Sequence, residues 1–230
     1  MERALVYCER KVTQRLDIAE REYNFRPEYH TVEEVIDFEK HLLHHDMYTF
    51  GDHGQPVATQ NLTEFETRWV LNEQLLVLCD AAYFLTRYAY LRDEEGVVQR
   101  FRFRVPQRIV FDIICDLEER DAAIEILALK ARQLGISIFT ELLISQRVIF
   151  SYGVGAVIGS ADQSKTQEMS QMMLLCYDNL PVWLRPQFTS RVESPRGKML
   201  FGPLASGVSF QHCNVIIKRI MRTTIFPKRC

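Results

Sequence analysis

In one short stretch, Lys130, Arg132, Gly135 and Ser137 are residues of the types that hold phosphate. Before them Glu125–Leu129 is short and mostly apolar, which predicts a buried strand. After them Ile138–Phe150 is too long and too apolar for a surface strand and predicts a buried helix. A strand, a basic glycine-containing turn and a helix are the layout of a phosphate loop. Its backbone N–H groups meet an anion at the helix N-terminus, where the macrodipole favours negative charge. Gly135 would let the backbone approach the phosphate, Lys130 or Arg132 would supply cationic charge, and Ser137 stands where a loop hydroxyl meets Mg²⁺. The stretch departs from G-x-x-x-x-G-K-[ST]: Lys130 replaces the first glycine and Ile136 replaces the usual lysine. The alternative is an ordinary crossover turn carrying a surface Lys–Arg pair.

The rest of the chain must position that stretch. With 230 residues, 47% hydrophobic and 25% charged, it is long enough for one or two domains with a sizeable core. The formal net charge of −2 does not mark a nucleic-acid binder. Six widely spaced cysteines form no C-x-x-C pair, so buried free thiols in a reducing compartment are expected. The first residues open no signal peptide, and no apolar window is long enough to span a bilayer, so a cytoplasmic location without membrane contact is expected.

Several helices are legible. Residues 1–23 place Leu5, Cys8, Val12, Leu16 and Ala19 at helical spacing. Thr31 with Glu34 and Thr63 with Glu66 are capping boxes that open helices to about Asp46 and Ala89. His41, His44 and His45 share one face of the first of these, a weak metal signal beside a solvated histidine face. Tyr48–Leu62 reads as loop. Tyr83, Phe84, Tyr88 and Tyr90 read as core rather than as a base-stacking platform. Alternation over Arg100–Val105 predicts an extended segment with one basic face, and a helix is expected over Arg108–Leu117. Glu118, Glu119, Arg120 and Asp121 read as a solvated charged turn.

Gly153, Gly155 and Gly159 mimic a dinucleotide fingerprint but precede a strand at Ala156–Gly159 instead of following one. Ser160 with Gln163 reads as a third capping box. Met169, Met172, Met173, Cys176 and Tyr177 form a core stripe on the helix that follows. Lys198–Phe201 and Gly207–Phe210 predict a hairpin. The β-α-β-α order over residues 124–178 predicts a parallel sheet with helices on its faces and a ligand at the strands' carboxyl ends.

Taken in order, EFETRWVLNEQ (Glu64–Gln74), AYFLTRYAYLRDEEG (Ala82–Gly96), FRVPQRIVFDII (Phe103–Ile114), LKARQLGIS (Leu129–Ser137), VIGSADQSK (Val157–Lys165) and YDNLPVWLRP (Tyr177–Pro186) resemble the large terminase subunit of tailed bacteriophages, the motor ATPase that packages viral DNA. The resemblance covers roughly Thr63–Gln211. It implies an α/β, P-loop NTPase-like parallel sheet with helices on both faces, incomplete here, preceded by a helical N-terminal region. The implied organisation is a helical accessory region over 1–95, a partial ATPase domain over 96–212 and a divergent basic tail over 213–230. It also implies ATP and Mg²⁺ as cofactors. The phosphates would be held by Lys130, Ala131, Arg132, Gln133, Leu134, Gly135, Ile136 and Ser137, with Ser137 at the metal. Gln107 would read adenine, and Arg132 would stabilise charge developing on the γ-phosphate. Implied partners are double-stranded viral DNA, the phage portal, the small terminase subunit and further copies of the chain, in the host cytoplasm.

Such an ATPase needs acids on a later strand to hold Mg²⁺ and to orient water. Here no Asp or Glu follows Glu193, and seven basic residues lie beyond it. The expectation is therefore a fragment with a phosphate cradle but without those acids: a nucleotide binder whose hydrolysis is in doubt, or a module that binds nucleotide or DNA phosphate without hydrolysis. A missing central strand would also leave an open sheet edge.

Overall fold

The structure is a computed structural model that describes residues 9–44, 48–50, 56–58, 62–93, 95–128, 134–185 and 197–212. It is a mixed α/β fold in which helices dominate and one small mixed sheet is packed among them. In the N-terminal part α1 (Glu9–Tyr23) buries Val12, Leu16 and Ala19, the stripe that the spacing predicts; Leu5 and Cys8 lie outside the described residues. Helix α2 (Val32–His44) opens with Thr31, whose N–H donates to Glu34 Oε2 at 2.7 Å while the Glu34 N–H donates back to Thr31 Oγ1. The second capping box closes in the same way at Thr63 and Glu66.

The long helix expected from Thr63 to Ala89 is two helices, α3 (Glu64–Cys79) and α4 (Ala81–Arg87). Asp80 divides them. Its backbone is extended, and its carboxylate accepts from the N–H groups of Ala82 and Tyr83, which starts a new helix. Helix α5 (Val105–Glu119) begins earlier than Arg108 because Pro106 suits a first turn. Helix α6 (Ile136–Phe150) is the predicted buried helix. Helix α7 (Gln163–Asp178) is capped by Asp162 rather than Ser160, through the Ser164 N–H at 2.9 Å.

Two short hairpins lie where loop or turn was expected. They are β1 (Tyr48–Phe50) with β2 (Pro56–Ala58), and β3 (Tyr90–Arg92) with β4 (Val98–Arg100). The main sheet has three strands, β5 (Gly155–Ser160), β6 (Lys198–Phe201) and β7 (Ser206–His212), in the order β5-β7-β6. The β6–β7 hairpin is antiparallel, as predicted, and β5 lies parallel to β7 with Gly155 opposite Gly207 and Ser160 opposite His212.

The predicted parallel sheet is corrected in one respect. Residues 125–128 of the expected strand Glu125–Leu129 form no strand, and Leu129 lies outside the described residues. Ile124, Ile126 and Leu127 are exposed, Leu127 completely. An apolar run becomes a strand only where a neighbour takes up its backbone hydrogen bonds, and in the described residues the β-α-β order reduces to one parallel pair.

Helix α6 is the hub. It packs against α3, α4, α5, α7, β5 and β7. One continuous apolar core runs from Val12 in α1 to Phe210 in β7 and includes Tyr83, Phe84, Tyr88, Met173 and Cys176. Polar ties cross it. Gln146 Nε2 in α6 donates to Val77 O at 2.7 Å, and Arg15 Nη1 in α1 donates to Cys79 O at 3.1 Å, so the last carbonyls of α3 are satisfied from two other helices. Glu118, expected on a solvated turn, is 8% exposed and pairs with Arg15 and Arg147. The expectation of free thiols holds for buried Cys79 and Cys176, whereas Cys115 is disulfide-bonded. No helix among the described residues is long and apolar enough to cross a membrane.

Candidate functional site

The start of α6 is built around Gly135. Its φ of 68° lies in the left-handed region, which glycine enters without the steric penalty of a side chain. Gly135 is the residue ahead of the first turn, and it brings no side chain to cap the helix. Among the described residues, the first-turn N–H groups of α6 therefore receive no cap from the side chain of the residue ahead of them. Uncapped N–H groups at a helix N-terminus are what an anion binds. Ser137 is exposed in that turn, and Ile136 beside it is buried and anchors the helix.

Gln107, in the first turn of α5, braces this turn. Its side chain is buried at 3% exposure. Oε1 accepts from the Arg104 N–H at 2.8 Å, and Nε2 donates to Gly135 O at 3.0 Å. The Gly135 carbonyl also accepts from the Phe139 N–H at 3.0 Å, the first turn of the α6 ladder. The contact is close enough that a Cβ on Gly135 would lie 2.5 Å from Gln107 Nε2. The structure thus brings Gln107, Gly135 and Ser137 to one place, although Pro106-Gln107 and the loop are far apart in sequence. Lys130, Ala131, Arg132 and Gln133 lie outside the described residues; Leu134 precedes Gly135 and is half-buried.

Topology sets what else is near. Helix α6 ends at Phe150, and β5 begins at Gly155 after a short turn and packs back against it. The carboxyl end of β5, at Ser160, therefore returns toward the start of α6. His212 at the end of β7 and the start of α7 lie at that same end. This is the end of a parallel pair where ligands bind. Asp162 is there, held below the usual carboxylate range by its hydrogen bonds to Ser164 and committed to capping α7.

One residue that the motif reading passed over belongs to this region. Glu141 stands one helical turn after Ser137 on the same face of α6. It is 6% exposed, and among the described residues its carboxyl has no hydrogen-bond or ion-pair partner. Burial alone pushes its pKa up to about 7. The signal that could have found it is a lone acid inside the apolar run Ile138–Phe150.

The histidine face resolves differently. His41 Nε2 lies 2.9 Å from Glu66 Oε1, while the side chains of His44 and His45 lie outside the described ones. No group of three or more metal-ligating side chains occurs among the described residues. A second buried carboxylate is fully partnered. Glu73 accepts from Tyr83 Oη at 2.8 Å, from Tyr88 Oη and from Asn72 Nδ2, and lies 2.5 Å from His30 Nδ1. His30 stacks on Trp69 at 3.8 Å. This network joins the 24–31 segment to α3 and α4 and leaves Glu73 no open position. No protein-family model matches the chain, and no curated protein matches it.

Proposed function

We propose that this chain is a motor ATPase part resembling the large terminase subunit of tailed bacteriophages, and that the start of α6 receives the phosphates of ATP. The observation that carries the reading is the uncapped first turn of α6 behind Gly135, held in the left-handed conformation against Gln107. The ordered resemblance over Thr63–Gln211 supports it, as does the parallel pair β5–β7. Within this reading Lys130 and Arg132 neutralise the phosphates, Arg132 acts on charge developing at the γ-phosphate, and the first-turn N–H groups hold the β-phosphate region. The exposed Ser137 hydroxyl suits a hard cation, which takes oxygen ligands. The Ser137 side chain would hold Mg²⁺, which would supply positive charge to offset that of the phosphates. The wider assignment, a P-loop fold in the host cytoplasm acting with portal, small subunit, further copies and duplex DNA, belongs to the same proposal.

A second reading is phosphate binding without hydrolysis. It is favoured by the carboxyl end of β5, where Asp162 is committed to capping α7 through the Ser164 N–H and hydroxyl. The experiment that tests the shared premise is a thermal melt with and without Mg·ATP. A ligand that binds only the folded state raises the midpoint, equivalent to about 2.7 kcal/mol at a hundredfold excess over Kd. The wild type is expected to rise, and Ser137→Ala and Lys130→Ala to lose most of the rise. No rise at millimolar nucleotide overturns both readings. A rise without phosphate release on prolonged incubation selects the second.

A further inference from the structure

We infer that two copies of this chain pair through the outward face of α5, antiparallel and about a two-fold axis near Ile109. Helix α5 turns Gln107, Phe111, Ile114, Cys115 and Glu118 inward and buries them. On the opposite side Val105, Ile109 and Ile113 follow one another at i, i+4 and i+8, and they are 71%, 55% and 46% exposed. A single exposed apolar residue needs no explanation, but three in line form a ridge of the kind that packs into the groove of another helix. Arg108 and Asp112 stand one turn apart on one flank of that ridge, and among the described residues neither is in an ion pair. Farther along the face, Asp116 is held by Arg120 at 2.7 Å. Gln107 and its bond to Gly135 lie on the inner side of the helix, so this pairing does not depend on the phosphate reading.

The order of the charges selects a second copy as the occupant. Reversing one α5 against another puts Val105 opposite Ile113, Ile109 beside Ile109, and Arg108 opposite Asp112 of the second copy. In a two-fold contact residue i meets j while j meets i, so the Arg108–Asp112 pair forms twice and on the same flank. A uniformly acidic or uniformly basic partner would meet one like charge for each opposite one, and facing like charges are strongly unfavourable. A 15-residue helix is about 22 Å long at about 1.5 Å per residue. One such pair buries less than a standard interface, which places the dimer in the weak, reversible class.

The test is sedimentation equilibrium of the full chain over a concentration series, comparing wild type, Ile109→Asp, Arg108→Asp, Asp112→Arg and an equimolar mixture of the last two. All three positions face outward or sit on the flank, so folding is expected to be kept, and a melt of the dilute proteins checks it. The wild type should pass from monomer to dimer, and Ile109→Asp should stay monomeric. Arg108→Asp and Asp112→Arg should each dimerise at least about tenfold more weakly, because each sets like charges against each other twice. Their mixture should regain wild-type association to within about threefold, since both pairs are then opposite in sign again. Mixing repairs a contact between copies but not a fault within one fold, so the mixture keeps the two apart. A wild type that remains monomeric throughout overturns the inference. So does association that Ile109→Asp leaves undiminished, and so does a mixture no stronger than either variant alone.

Discussion

Gln107 and Gly135 act as one unit. A Cβ at 135 would both strain a left-handed residue, costing roughly 1–2 kcal/mol, and press on Gln107 Nε2. Gly135→Ala and Gln107→Ala are each expected to destabilise. The double variant should cost less than the sum, because removing the amide clears the space. A chemical-denaturation cycle that adds to within about 0.5 kcal/mol would show that the two positions do not touch in solution. Glu141 has a separate signature. Its folded-state pKa, about 7, lies above the ordinary value of 4.5. The folded chain therefore binds that proton more tightly than the unfolded chain does. Stability is greatest below about pH 4.5 as far as this group is concerned, and it falls as pH rises toward 7. Across that window the loss is on the order of 3 kcal/mol. In Glu141→Gln this fall should vanish, and a melt series from pH 5 to 8 that is identical in the two proteins would contradict it. Glu73 responds in the opposite sense to mutation. Glu73→Leu leaves the Tyr83 and Tyr88 hydroxyls without their acceptor and should cost about 3 kcal/mol or more in denaturant unfolding.

At the scale of elements, caps and breaks are the informative features. Asp80→Ala removes the acceptor for two N–H groups of α4 and for the Tyr29 hydroxyl, and is expected to cost about 1 kcal/mol in thermal unfolding. A larger loss would mean that the α3–α4 break also sets the packing of α4 on α6. The helices were readable because Val12-Leu16-Ala19 and Met173-Cys176-Tyr177 keep the helical period, and because two Thr–Glu capping boxes mark starts. The Asp80 break was not readable, since apolar residues continue on both sides of it and only the cap geometry ends α3. The hairpins β1–β2 and β3–β4 escaped notice because three-residue strands are too short to show alternation. Glu125–Leu129 differs for the converse reason, and residues 125–128 of it form no strand. Its composition suits a buried strand, but pairing is a property of neighbours and not of composition. In the candidate site, Gly135 and Ser137 were visible from spacing, Gln107 only through the resemblance, and Glu141 not at all, because a single acid in an apolar helix carries no motif.

For the molecule as a whole, the sheet edge and the exposed run before the loop form a liability. Val157 on β5 is 42% exposed, and Leu127 is fully exposed. Open edges and unpaired apolar strands recruit one another. Leu127→Lys with Val157→Lys is expected to reduce self-association in sedimentation at high protein concentration while leaving the melting midpoint within a few degrees of wild type. Association that persists unchanged would place the sticky surface elsewhere, for instance on the exposed Val105, Ile109 and Ile113 of α5. The strand order has a consequence in time. Strand β7 sits between β5 and β6, yet it follows both in the chain. During synthesis β5 leaves the ribosome long before its partner exists. The helices up to α7 can then settle on one another first, and the sheet closes late, when the β6–β7 hairpin lays β7 alongside β5.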